Sequence, residues 1–319
     1  MILVCGEALV DLFLDPPEGA EMAGRAVAGG SPFNVAIGLA RLGVPVGFLG
    51  AISRDGIGTM LAERLRQEGV DGRFLVRSDR LSTISAVATG VDGQPSYGFH
   101  GEGAADRFLM PADLPPELPP EVQAISFGSY SMAVEPTGST LASIAEREHG
   151  RRVISVDPNL RPAVVPDMAL WADAAERFYR VATIVKASEE DVGIAWGGQL
   201  SLQEAAAYWL SLGAKLVVIT RGAAGVLGFC AAGQIELPAR AVSVCDTVGA
   251  GDSFHAALLA RLSQTDRLSI EGVAALDQAA LDEVLNYAAI AASITVGRRG
   301  ADLPRAADMN AAPFSRRRL

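Results

Sequence analysis

The sequence predicts an α/β fold: a mostly parallel sheet packed by helices, with a small antiparallel sheet inserted into it. Three observations carry that expectation. Short apolar runs rich in β-branched residues, such as Met1–Cys5, Pro45–Ile52, Val153–Val156 and Leu216–Thr220, alternate with stretches whose apolar residues recur at helical spacing. Two further strand-like runs, Thr83–Val91 and Ser96–His100, are joined by the turn residues Asp92-Gly93-Gln94-Pro95 and break that rhythm as a hairpin. Residues 241–262 read as strand, glycine-rich bend and helix.

Composition bounds the rest. A chain of 319 residues suits one large α/β domain with an appendage. Half of it is apolar and only 6% is aromatic, so many helices are expected to pack through Ala and Leu. The net charge of −10 argues against a nucleic-acid surface, which needs a basic stripe. Cys5, Cys230 and Cys245 are scattered, which speaks for a reducing compartment and against a disulfide framework or structural zinc. No basic region precedes the N-terminal apolar run, which Glu7 and Asp11 interrupt, and no stretch reads as a bilayer span. The expectation is a cytoplasmic protein without a membrane partner.

Taken in order, Met1–Cys5 is a buried strand, and Gly6 to Asp11 continues from its end. Asp11 is either a solvated turn acid or a ligand-facing group, since doubly wound sheets bind ligands beyond their strand ends. Leu12–Ala28 is broken by Pro16-Pro17 and too short for a crossover helix. Ser31 as N-cap and Pro32 at the first helical position start a helix with Asn34 in its first turn, beside Gly29 and Gly30. Asp55-Gly56 is turn chemistry ahead of an amphipathic helix reaching about Gln67. The repeat Leu-Pro-Pro-Glu-Leu-Pro-Pro-Glu near Pro115 is a rigid spacer returning the chain to its core. Ala124–Phe127, Val153–Val156 and Ala182–Lys186 are strands, and Thr137–Glu148 a helix. Asp157, Asn159 and Arg161 emerge together at a strand end, as a polar cluster or as a proline-shaped turn whose acid pairs with Arg161. Ala187-Ser188-Glu189-Glu190-Asp191 is an acidic helix start that a hard cation also suits. Gly225–Cys230 and Gln234–Pro238 look like an edge hairpin, and Asp277 opens an Ala-rich helix ending near Val296.

The stretch Asp246-Thr247-Val248-Gly249-Ala250-Gly251-Asp252-Ser253-Phe254 organises the chain. Its glycines leave backbone N–H groups at a helix start free to face an anion, and the helix dipole adds to the attraction. Asp252 then stands at the mouth of an anion site. Two readings fit: an N-cap on an ordinary turn, or a base that takes a proton from a hydroxyl attacking a phosphate.

These nine residues resemble the C-terminal signature of the ribokinase-like (phosphofructokinase-B type) carbohydrate kinases. Gly29-Gly30-Ser31-Pro32-Phe33-Asn34 is similar to the N-terminal signature of that family. The resemblance implies a three-layer α/β/α core over residues 1–11, 29–82 and 104–319, with a β lid from residues 12–28 and 83–103. It makes Asp252 the catalytic base, with Gly249, Ala250 and Gly251 as the anion hole and Arg161 near the substrate or the transferring phosphate. On the sugar side it places Asp11, Gly29, Gly30, Asn34, Tyr97, Phe99 and Arg161, and more weakly Asp55. His100 is a further lid residue expected to face substrate. The nucleotide side takes Lys186, Ser188, Thr220, Gly222, Gly225, Gly249, Gly251 and Asn286. Relatives carry Asn-x-x-Glu where this chain has Ser188 and Asp191, so either Glu190 or Asp191 is expected to support Mg²⁺ through water. Asp246, with the segment 297–301, is associated with a K⁺ site. ATP is the implied phosphate donor, and a homodimer through the lid the implied assembly.

The absences are consistent with this. There is no Gly-x-x-x-x-Gly-Lys-[Ser/Thr], no Gly-x-Gly-x-x-Gly after the first strand, and no His-Glu-x-x-His. His100, His149 and His255 lack a clear hydrolase partner, and His255 reads as a plain helix residue. The wording of Tyr97–Asp106 and of Asp157–Arg161 resembles fructokinase-type members, so fructose is the expected sugar. The alternatives are 2-keto-3-deoxygluconate, whose carboxylate Arg161 and a lid aromatic would hold, then a nucleoside, then a sugar-binding regulator without catalysis.

Overall fold

The computed structural model describes residues 1–89 and 95–311. The chain starts with β1 (Ile2–Cys5), leaves the main sheet for β2 (Leu9–Leu14) and β3 (Gly24–Gly29), and returns through α1 (Ser31–Arg41) to β4 (Val46–Ser53), α2 (Gly56–Gln67) and β5 (Leu75–Ser78). A second excursion, β6 (Ile84–Thr89) and β7 (Pro95–His100), leads to β8 (Ala124–Gly128), α3 (Thr137–Glu148), β9 (Val153–Asp157) and α4 (Met168–Tyr179). Then follow β10 (Ile184–Ser188), α5 (Glu189–Trp196), α6 (Leu202–Ser211), β11 (Leu216–Thr220), β12 (Val226–Cys230) and β13 (Gly233–Leu237). Four helices close the described chain: α7 (Ala250–Gln264), α8 (Ile270–Ala274), α9 (Gln278–Val296) and α10 (Ala306–Ala311).

The large sheet runs β13-β12-β11-β10-β9-β8-β1-β4-β5, parallel except for the β12–β13 hairpin at one edge. Its inner strands are buried on both faces, which is why they read as unbroken apolar runs. Two apolar layers cover them. Side chains of α1, α2, α7 and α9 fill one, and those of α3, α4, α5 and α6 the other. From β1 the chain builds outward first to β4 and β5, then the other way through β8 and β9, so the strand order reverses beside β1. Ligand crevices in such sheets open at that reversal, beyond the carboxyl ends of the strands.

The smaller sheet runs β3-β2-β6-β7. It is mixed rather than antiparallel, because β2 and β6 pair in parallel. Its first strand begins at Leu9, so Asp11 stands on the small sheet, its backbone paired with Val27 on one side and Ser85 on the other. The turn expected at Asp92–Gln94 and the tail Ser315–Leu319 lie outside the described residues.

Three sequence expectations fail here. Residues 241–245 are not a buried strand: they run exposed along the surface, and the N–H groups of Cys245 and Asp246 bond to the Val296 carbonyl at the end of α9. β-branched character misled, because the sheet already ends at β13. Ser31 is not an N-cap; Gly30 holds that position at φ 104°, and Ser31 is the first helical residue. Finally, α9 is, by length and composition alone, long and apolar enough to cross a bilayer, contrary to the sequence reading. It packs against α7, β12 and β13 and shares their core.

The contact that matters most for the site is α1 against α7. A Cβ on Gly38 would lie 2.7 Å from the Ala256 Cβ and 2.6 Å from Leu303 Cδ2, so only glycine lets the two helices approach this closely. Gly38→Val is expected to lower stability by about 2 kcal/mol through overpacking, since the helix propensities of the two residues differ by less than ~0.5 kcal/mol. Denaturant unfolding checks this; an unchanged midpoint would show that the helix pair yields without cost.

Candidate active site

Asp252 is the third residue of α7, whose N-cap is Gly249 in the left-handed region at φ 77°. It does not cap its own helix. Its carboxylate instead accepts Ser31 Oγ on Oδ1 at 2.6 Å and Asn34 Nδ2 on Oδ2 at 2.8 Å, both from the first turn of α1. Two helix N-termini therefore converge on one carboxylate, held from residues more than two hundred positions away in the chain. That settles the N-cap alternative against the capping role.

Gly29 and Gly30 are explained by the same corner. Gly30 takes a positive φ that turns β3 into α1, and a Cβ on Gly29 would stand 2.4 Å from Asp11 Oδ2. Burial raises the Asp11 carboxyl above its usual range; a hydrogen bond from Ser85 and the charge of Arg161 act the other way, and Asp252 adds to the rise. Asp11, Arg161 and Asp252 thus feel one another across a shared space. Arg161 is exposed and donates to the Leu160 carbonyl at 2.8 Å, leaving the rest of its fork available. It does not pair with Asp157, which removes the local-turn alternative.

In the lid, Asp11, Ser85 and Phe99 are register partners across β2, β6 and β7 and share a face. Phe99 lies edge-on against Tyr130, with ring centroids 5.3 Å apart. Tyr97 is two residues along the same strand, but its side chain falls outside the described residues. His100, next to Phe99 in the strand, points to the opposite face with Gly98, so it does not join the row of Asp11, Ser85 and Phe99. Asp55 does not reach the pocket either. It caps α2 through Gly58 N–H at 2.7 Å and accepts the Ser82 N–H and hydroxyl, tying the root of β6 to the core.

On the other side of the anion loop, Asp246 accepts the N–H of Val248 and of Gly300, joining that loop to residues 297–301. Ser188 and Asp191 form a reciprocal capping box on α5, and Asp191 also accepts the Leu160 N–H at 2.7 Å. Asp191 is buried with its oxygens occupied, whereas Glu190 is exposed. Among the described residues no group of three or more His, Cys, Asp or Glu is arranged to hold a metal by itself. Thr220 ends β11 with its hydroxyl toward the Ala187 carbonyl, and Gly222 and Gly225 both take positive φ in the turn that follows. Asn286 bonds back to Asp282 on its own helix. Lys186 is not on the nucleotide surface: it is buried and ion-paired with Asp157 at 2.7 Å.

Sequence reasoning missed two buried acids at the lid roots. Glu7 follows β1, and burial pushes its carboxyl up to about 7 against hydrogen bonds from Ser131 and Ser129, with Asp106 nearby adding to the rise. Asp106 follows β7, accepts Thr83 Oγ1 and the Tyr130 hydroxyl at 2.5 Å each, and is likewise raised by burial. The only signal was an acid set inside an apolar run.

Comparison with known proteins gives this geometry its family. A family model described as pfkB family carbohydrate kinase matches residues 1–307. The chain belongs to that family. It is 42% identical over 282 residues to the fructokinase of Rhizobium leguminosarum bv. trifolii, covering 88% of this chain and 85% of that one. Among solved structures, fructokinase with bound ATP from Xylella fastidiosa superposes with a TM-score of 0.87 at 26% identity, covering 97% of each chain. A fructokinase double mutant from Vibrio cholerae O395, in its fructose-, ADP- and potassium-bound form, gives 0.82 at 28% identity, again over 97% of both chains. As a pfkB carbohydrate kinase the chain is a sugar kinase with the ribokinase-like fold, a large, mostly parallel sheet between helical layers plus a smaller separate sheet.

Glu7 yields a pH prediction. The folded protein keeps its proton up to about pH 7, while the unfolded chain releases it near 4.5. Between those values the folded state binds more protons, so this group's contribution to stability falls as pH rises. Glu7→Gln is expected to flatten that fall, with a larger gain in Tm at pH 8 than at pH 5. Equal changes at both pH values would mean that Glu7 is charged throughout.

Proposed function

We propose that this protein is a fructokinase that transfers the terminal phosphate of ATP to a primary hydroxyl of fructose. The observation that carries the reaction is the Asp252 carboxylate, oriented by Ser31 and Asn34 at the mouth of the glycine loop that opens α7. The sugar assignment leans on the name of the 42% identical relative.

Phosphoryl transfer needs positioning and charge neutralisation more than covalent chemistry. Asp11 and the backbone at Gly29-Gly30 would bind sugar hydroxyls, with Phe99 on the lid face above and Arg161 at the edge. Asp252 would take the proton of the attacking hydroxyl, its two oxygens held in place by Ser31 and Asn34. The N–H groups of residues 249–251 would meet the charge developing on the phosphate. Thr220, Gly222, Gly225 and Asn286 line the way toward the nucleotide base. A Mg²⁺ ion, when bound, neutralises the donor phosphates; the exposed carboxylate of Glu190 suits a hard cation through water, with Asp191 fixing the backbone beneath it. Asp246 bridges the two loops whose carbonyls would hold a K⁺ ion. We place the enzyme in the cytoplasm as a homodimer that pairs through its lid sheet, for which light scattering is the check.

Asp252→Asn is expected to lower kcat about 10²- to 10⁴-fold, the usual weight of general base catalysis, with the sugar KM nearly kept. Ser31→Ala removes one hydrogen bond to a charged group, worth about 1.5–3 kcal/mol, and is expected to cost roughly tenfold or more in kcat. Both are read by coupled ADP release with MgATP against fructose, 2-keto-3-deoxygluconate, ribose, glucose and adenosine. Near-normal turnover by Asp252→Asn would sink the base assignment; turnover on the keto-acid in place of fructose would move Arg161 to a carboxylate.

A further inference from the structure

A buried polar cluster lies directly beneath the anion loop, and nothing in the mechanism above uses it. Lys186, two residues before the end of β10, places Nζ 2.7 Å from Asp157 Oδ2 at the end of β9, with both side chains at most 5% exposed. His255 on α7 stands 3.7 Å from the same oxygen through Nδ1, and its Nε2 meets Ser155 Oγ at 2.8 Å. Asp157 Oδ1 has no hydrogen-bond partner among the described residues.

Two features make this arrangement costly for the fold. A buried ion pair repays its desolvation poorly compared with apolar packing. The ammonium is also pressed against the wrong end of a helix. A Cβ on Gly251, the second residue of α7, would lie 3.3 Å from Nζ, so the cation abuts a helix N-terminus that is itself positive. Asp157, Asp191 and Asp252 hold the ammonium there against that field, and an anion arriving at the turn would add to their attraction. His255 adds no charge of its own, because burial and the nearby Lys186 ammonium push it down to about 3 and leave it neutral at working pH. Asp191 has its oxygens filled by backbone and Ser188 donors. Lys186 is therefore the buried cation facing three carboxylates, Asp157, Asp191 and Asp252.

We infer that Lys186 is a positioning residue for phosphoryl transfer: held by Asp157, its ammonium adds a fixed positive charge under the loop 249–251 and beside the Asp252 carboxylate. This rests on the kinase reading above. It also bears on Gly251, where a Cβ would crowd the ammonium at 3.3 Å. Asp157 acts as the tether through Oδ2.

The test uses Asp157→Asn, Lys186→Met and the double variant, with wild type and Asp252→Asn as controls. Fold is checked by thermal unfolding and fructose KM, and function by kcat and the pH profile of kcat/KM. The groups facing this region are Asp157, Asp191, Asp252 and His255 from the core, with Asp11 and Arg161 across the pocket. The double variant, which removes the pair without leaving a buried charge, is expected to keep the sugar KM within about threefold. Its kcat should fall about 10- to 100-fold. Asp157→Asn keeps the ammonium and should move the acid limb of its profile to lower pH, and removing Lys186 as well, in the double variant, should return that limb to higher pH. A role confined to folding would move neither limb. A double variant with wild-type kcat and profile overturns the inference; if it does not fold, an unmoved limb in Asp157→Asn does so instead. Failure of the kinase reading is told apart by Asp252→Asn, whose retained turnover would remove the base itself.

Discussion

The site depends on one constraint: two helices must bring their N-termini to the same carboxylate. α1 leaves the lid at Gly30 and α7 leaves the surface stretch at Gly249, and the close approach at Gly38 lets their first turns meet. Asp252 then sits in the positive field of both, with a donor from α1 on each oxygen. A carboxylate beside an anion loop would otherwise repel its own ligand or swing into solvent. Ser31 and Asn34 fix its orientation through one hydrogen bond to each oxygen. The sheet order supplies the frame, because β1, which feeds the lid and α1, lies next to β8 at the reversal of strand order.

The carboxyl edge of the sheet is correspondingly polar for a protein interior. Asp157 and Lys186 lie under the anion loop, while Glu7, Asp106 and Thr83 lie under the lid. Such groups cost stability unless partnered, and their partners are instructive. Every crossing between core and lid is stitched by an acid or a glycine: Glu7 with Ser129 and Ser131 after β1, Gly29-Gly30 after β3, Asp55 with Ser82 before β6, and Asp106 with Thr83 and Tyr130 after β7. Hydrogen bonds of this kind fix the angle of the lid by direction rather than by apolar volume. They tie a short mixed sheet to a large one alongside the apolar contacts that Leu9, Val10 and Phe99 make with the main core.

Much of this was legible in the sequence, for physical reasons. Fully buried strands read as apolar runs, so β1, β4, β9 and β11 stood out, and Thr137–Glu148 and Leu216–Thr220 match their observed bounds. The glycine loop and the Gly29-Gly30 pair were visible because close approach and positive φ leave few residue choices. What failed was whatever depends on distant partners. Ser31 has the composition of an N-cap, yet its hydroxyl is taken by a carboxylate 221 residues away. The valines of 241–245 alternate like a strand with no edge left to pair. Lys186, Glu7 and Asp106 gave no periodic signal at all, since a buried charge is recognised only from what surrounds it.

For the same reason the reaction is better specified than the substrate. The groups proposed to handle phosphate are backbone N–H donors, a helix dipole and one carboxylate, and their demands fall on glycines and on Asp252, which sequence displays directly. The groups proposed to meet the sugar are spread over separate elements: Asp11 on β2, Phe99 on β7 and Arg161 on the turn after β9. Their relative placement is set by the register of a small sheet and by the angle at which buried acids hold it. Asp11 alone senses both halves, raised by burial and by Asp252 while Ser85 and Arg161 oppose the rise. On the proposed reading, sugar choice depends on how the small sheet is seated on the core, whereas phosphoryl transfer is built into a single loop and the helix that meets it.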